Sequence, residues 1–187
     1  MNAMAFAQRM TADEYLAQEF GQVRSELVDG EVVVYEPGKP HQLAVMALLR
    51  ALDAWIRGAP GRGQVWIPLD VRVDDGNVFA PDLLWYAAEH GHDGDSGPPY
   101  PLPDLAVEVR SASTWRYDIG AKKSAYERAG LLELWLVDIA ADVVLVFCRS
   151  SPQAAAFDVS LEFAVEDDLT SPLLPGFTCS LGEVFDA

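Results

Sequence analysis

The 187 residues predict an α/β fold of the α+β kind, one domain over 1–187, with an α-β-β-β-α-β core and a mixed central sheet flanked by helices. Three observations carry this. A long amphipathic pattern follows Pro40; alternating apolar runs flank the Asp75-Gly76 turn; and an apolar run at 105–109 leads through a helical pattern into the run LELWLVD, as in a parallel βαβ unit. An N-terminal helix and hairpin and C-terminal antiparallel strands are expected as additions to that core.

In chain order, Thr11 and Glu14 form a capping box that opens a short helix, and Asp29-Gly30 between SELV and EVVVY marks a two-residue hairpin. Val45, Leu48, Leu49, Leu52, Trp55 and Ile56 recur at helical spacing until Gly58. Leu69, Val71 and Val73 alternate with Asp70 and Arg72, and Val78 to Tyr86 reads as the returning strand of a second hairpin. A loop rich in Gly, Pro, Asp and His runs from about Ala87 to Pro103. LAVEV from Leu105 is a strand, a helix follows from about Tyr117 to Ala129 with Gly130 as its cap, and LELWLVD is the next strand. Val143–Cys148 and Leu161–Val165 are expected as antiparallel strands, with the tail from Pro172 to Phe185 packed over one end.

Composition restricts the partners. Thirteen basic against 29 acidic residues give a formal charge of −16, which repels nucleic acid unless a local cationic patch or a metal ion offsets it. No apolar run approaches the roughly 18 residues of a membrane helix, and the N-terminus lacks a secretory pattern, so a cytoplasmic protein with no membrane partner is expected. Cys148 and Cys179 form no C-x-x-C pair and are expected as buried, reduced thiols.

The chemistry centres on three residues. Glu108 lies inside an otherwise apolar strand, where a buried carboxylate needs a partner; the alternative is an exposed strand position. Asp82 also sits in an apolar strand, next to a proline that would interrupt the ladder. Asp104 competes with it, but lies about 13 Å along the same strand from Glu108 at roughly 3.3 Å per residue, too far for one ion to bridge, so it is read as a strand-start residue. On the following helix Ile119, Ala125, Tyr126 and Ala129 form an apolar arc with Lys122 at its centre and Lys123 at its edge. Lys122 is either aimed at the sheet or snorkelling past the helix edge. Asp82 and Glu108 holding Mg²⁺ or Mn²⁺, with Lys122 beside them, make a site suited to phosphodiester hydrolysis.

The stretch Ser25–Asp138, with ELVDGE, PHQ, APDLLW, PDLAVEVRSAS, YDIGAKKSAYERAG and LELWLVD, resembles the Uma two family of putative restriction endonucleases in the PD-(D/E)-x-K nuclease superfamily. The flanks resemble it too. The resemblance implies a restriction-endonuclease-like fold and a metal-dependent endonuclease acting on DNA, with Asp82, Glu108 and Lys122 at the catalytic positions. It adds Glu26 as a fourth ligand or water-positioning group. Where the superfamily pattern has its lysine, two residues after the glutamate, this chain has Arg110, a candidate phosphate contact; Ala112 replaces a common proline. His41-Gln42 matches a family dipeptide at the start of the long helix, as a substrate contact or a helix cap.

From Arg110 to Arg128, five basic residues (Arg110, Arg116, Lys122, Lys123, Arg128) stand against Asp118 and Glu127, with Trp115 and Tyr117 interleaved. This is the patch a DNA partner requires, and a homodimer, expected on that ground, would double it. His90, His92, Asp93 and Asp95 fit neither a calcium loop nor a zinc helix and read as a solvated loop. GAPGRG ends a helix and is no dinucleotide fingerprint. A catalytically silent relative, kept as a binding or assembly module, is the competing function, favoured by the acidic surface.

Overall fold

Asp29 and Gly30 both adopt positive φ, 48° and 80°, which closes the first hairpin in the turn that suits twisted strands. The computed structural model describes residues 9–18, 20, 23–91, 97–111 and 113–186. His92, Asp93, Asp95 and Ala112, singled out from the sequence, lie outside them. Helix α1 (Ala12–Leu16) carries the Thr11–Glu14 capping box, and β1 (Ser25–Val28) pairs antiparallel with β2 (Glu31–Val34). Helix α2 (Lys39–Arg57) has Pro40 in its first turn, where the missing N–H costs nothing, and Gly38 as N-cap. His41 is therefore not its cap.

The remaining strands are β3 (Gln64–Trp66), β4 (Val71–Asp74), β5 (Asn77–Phe79), β6 (Leu83–Tyr86), β7 (Leu105–Val109), β8 (Glu133–Asp138), β9 (Val143–Cys148), β10 (Val159–Ala164), β11 (Asp168–Leu169) and β12 (Cys179–Ser180). They form a mixed six-stranded sheet in the order β10-β9-β8-β7-β6-β3, a four-stranded sheet β2-β1-β5-β4 and the small pair β11-β12. The β7–β8 pair is parallel, as the βαβ reading requires, and every residue of both strands is buried.

Two expectations about the strands change. The returning strand Val78–Tyr86 is two strands, because Pro81 has no N–H for a ladder and the Ala80 N–H is taken by the Glu26 carboxylate at 2.7 Å. The chain thereby passes from the four-stranded sheet into the six-stranded one, with Asp82 at the crossing. Strand β3, three residues after the glycine-rich turn, pairs with β6 and was not expected.

Alternation along β7 sorts the core. Leu105, Val107 and Val109 pack with Ala44, Leu48 and Leu52 of α2 and with Leu174, Phe177 and Val184 of the tail, which covers this end as expected. Ala106 faces the opposite layer with Val28, Val33, Phe79, Ala125 and Tyr126. Glu108, two residues on, shares that face. Cys148 and Cys179 are unpaired, and burial pushes both thiols up to about 11. No helix of the described residues is long and apolar enough to cross a membrane.

Between β7 and β8 the expected single helix has three parts: a turn α3 (Trp115–Tyr117), a π-helical segment (Asp118–Lys122) and α4 (Lys123–Ala129) ended by Gly130 at φ 94°. Within the π segment the Lys123 N–H bonds to the Asp118 carbonyl five residues back. The wider turn shifts the inward face: Ile119, placed on the buried arc by its sequence spacing, is 48 % exposed, and Asp118 is buried instead.

Candidate active site

Asp82, Glu108, Lys122 and Glu26 line one small cavity together with Tyr35, His41, Ala80, Val109, Ser111 and Thr114. Its enclosed space, about 10 Å³ for a water-sized body, has room for about one water molecule or small ion. The sheet assembles it. Leu83 pairs with Val107 and Leu84 with Ala106, so one further step of that register brings Asp82 level with Glu108. The Val109 N–H completes the link by donating to Asp82 Oδ2 at 2.8 Å. Asp104 takes the Ala87 N–H and faces His90 at 2.8 Å in both contacts, holding the loop after β6. It does not line the cavity.

Lys122 is 2 % exposed and aims at the sheet, so it does not snorkel. Its Nζ donates to both oxygens of Glu26 at 2.9 Å, and lies 2.8 Å from Glu108 Oε1 and 3.3 Å from Asp118 Oδ1. Burial opposes its charge, but Glu108, Glu26 and Asp118 outweigh burial and hold its pKa well above the ordinary lysine value. Its three carboxylate partners thus favour the ammonium form. Glu108 is also moved upward, which for a carboxyl favours the neutral form. Desolvation pushes it well above the usual carboxylate range, opposed by the Lys122 charge and assisted by Glu26, Asp118 and Asp82.

Glu26, which the family resemblance adds as a fourth ligand or water-positioning group, is buried, with both oxygens accepting from Lys122. His41 is buried at the start of α2, and its Nε2 lies 3.1 Å from Asp82 Oδ2. Gln42 beside it is half-buried and does not line the cavity. Arg110 donates from one nitrogen to both oxygens of Asp138 at 2.8 Å and lies over the Trp115 ring. Lys123 lies over the rings of Phe147 and Phe157. Neither Arg110 nor Lys123 lines the cavity.

Two participants were missed. Tyr126, assigned to the core by its spacing, donates its hydroxyl to Glu108 Oε1 at 2.8 Å; burial, then Glu108, raises its pKa well above the ordinary phenol value. Asp118, read only as a counter-charge in the basic patch, is buried beside Lys122, and neither of its oxygens has a hydrogen-bond partner among the described residues. Desolvation raises its pKa. Its spacing, four residues before an inward lysine, was the available signal.

These bonds fall unevenly on the two expected metal ligands. Asp82 Oδ2 takes the Val109 N–H and faces His41, while Glu108 Oε1 takes the Tyr126 hydroxyl and pairs with the Lys122 ammonium. Asp82 Oδ1 and Glu108 Oε2 take none of them. Asp82 and Glu108 thus line a space of ion size with one carboxylate oxygen each outside these hydrogen bonds, a donor set of the kind a hard cation takes when it completes its shell with water and phosphate oxygens. Among the described residues, no group of three His, Cys, Asp or Glu side chains could by itself hold a metal ion.

Comparison with known proteins gives the family and a similar fold. The Uma2 family, described as putative restriction endonuclease, matches residues 12–182. The fold is similar to that of a putative nuclease belonging to DUF820 from Anabaena variabilis, with a TM-score of 0.77, 16 % identity, and 95 % of this chain and 98 % of that chain covered. No curated protein matches the chain.

Proposed function

The chain belongs to the Uma2 family of putative restriction endonucleases, and on that premise we propose that it is a divalent-metal-dependent endonuclease hydrolysing phosphodiester bonds of DNA. The observation that carries the reading is that Asp82, Glu108 and the buried Lys122 line one small cavity, while Asp82 Oδ1 and Glu108 Oε2 make no hydrogen bond among the described residues. Those oxygens would hold Mg²⁺ or Mn²⁺, which when bound supplies Lewis-acid stabilisation of the phosphate and a more acidic water.

The protein groups divide the remaining work. Lys122 supplies a fixed positive charge for the extra negative charge that develops on phosphate oxygens. Glu26 and Asp118 hold that ammonium in place, so it need not be ordered during the reaction. Tyr126 turns Glu108 so that one oxygen remains for the ion. The Val109 N–H does the same for Asp82.

The test is incubation of plasmid and single-stranded DNA with the protein in Mg²⁺ or Mn²⁺. Cleavage by wild type, its loss in Asp82→Asn and Glu108→Gln, and its retention in Asp104→Asn are expected. One observation favours a silent module instead: Lys122 is already neutralised by three carboxylates within 3.3 Å. Absence of cleavage across several divalent ions, with Asp82→Asn matching wild type in every assay, would establish that alternative.

A further inference from the structure

We propose that the groove along the outer edge of β2 is the path of the DNA strand beside the catalytic cavity, with Arg9 and Arg116 as its phosphate contacts. The proposal rests on the nuclease reading and adds where the substrate lies. The groove, of about 610 Å³, is lined by Arg9, Met10, residues 30–34, Ser113, Arg116 and Tyr117. Strand β2 is the end strand of its sheet, so one side of its backbone carries no strand partner there.

Groove and cavity are adjacent through two elements. On the segment 111–117, Ser111 and Thr114 line the cavity while Ser113, Arg116 and Tyr117 line the groove. Across the first hairpin, Glu26 of the cavity pairs with Val33 of the groove. A strand whose scissile phosphate reached Lys122 would therefore have this groove as a neighbouring channel.

Charge selects the occupant. On a chain of net charge −16, surface cations that already have acidic partners attract phosphates weakly, and Arg57, Arg72, Arg110 and Arg128 are of that kind. Arg9 and Arg116 have no acidic partner among the described residues. Arg116 is held instead by the Tyr117 hydroxyl at 2.7 Å and lies over the same ring, which orders a guanidinium without discharging it. Glu31 is the one acid lining the groove among the described residues.

Binding of a labelled DNA duplex, measured with Ca²⁺ replacing Mg²⁺ to separate binding from cleavage, tests this. The double variant Arg9→Ala/Arg116→Ala should bind on the order of tenfold more weakly, and the slope of log K against log salt should fall by about two, one per lost phosphate contact. Arg50→Ala, on the exposed side of α2, should match wild type. Glu31→Lys should tighten binding severalfold, a gain that no folding defect produces. If wild type binds and the double variant and Glu31→Lys both match it, the groove is not the path and the nuclease reading stands; if wild type binds no DNA at any salt, both fall.

Discussion

Lys122 Nζ donates to both carboxylate oxygens of Glu26, 2.9 Å from each, across 96 residues of sequence. The contact joins the first hairpin to the π segment. Removing the ammonium would leave Glu26, Glu108 and Asp118 buried without a cation, which typically costs about 3–5 kcal/mol. Lys122→Met should therefore lose stability on that scale in urea unfolding at neutral pH, and adding Glu26→Gln should recover part of the loss. A neutral Lys122→Met would mean that the carboxylates are protonated in the folded state.

His41 shares Asp82 Oδ2 with the Val109 N–H. A histidine donating Nε2–H there fixes the carboxylate's orientation, as outer partners commonly do for metal ligands, the role the proposed function gives Asp82. His41→Ala should weaken Mg²⁺ or Mn²⁺ binding by about tenfold in a calorimetric titration. His41→Gln, whose amide can still donate, should restore part of it.

Tyr126 donates to Glu108 Oε1 from the buried face of α4. Tyr126→Phe removes this bond with almost no change of shape, and hydrogen bonds to charged groups are worth about 1.5–3 kcal/mol. A loss toward the lower end of that range is expected in chemical denaturation, since Lys122 remains 2.8 Å from the same oxygen. DNA cleavage should fall with it.

His90 faces Asp104 Oδ1 at 2.8 Å, and this hydrogen bond, then the charge of Asp104, raises the histidine pKa above its ordinary 6.5. A histidine whose folded pKa exceeds its unfolded value stabilises fully below the unfolded value and loses that contribution as pH rises through the folded one. The Tm difference between wild type and His90→Ala should thus be present below pH 6.5 and vanish on the alkaline side. It should be small, because the His90 side chain is largely exposed.

The sequence carried more of this site than of its surroundings. Glu108 and Asp82 were conspicuous because charge inside an apolar run demands a partner, and Lys122 because it interrupts an apolar arc. The separation of the two sheets was not legible: Pro81 signals a break but not that the chain changes sheets there, a choice made by Glu26 taking the Ala80 N–H from 54 residues away. Asp118 and Ile119 were misplaced because a periodicity of 3.6 residues assumes a regular α-helix, and one π turn shifts the inward face. Strand β3 has three residues, too few for alternation to register.

The central claim is that Asp82 Oδ1 and Glu108 Oε2 together take one divalent cation. Calorimetric titration of Mg²⁺ or Mn²⁺ into wild type, Asp82→Asn, Glu108→Gln and Asp104→Asn measures it directly. One binding event in wild type and Asp104→Asn, lost in Asp82→Asn and Glu108→Gln, is the predicted result; no binding to wild type, or equal binding to all four proteins, would contradict it.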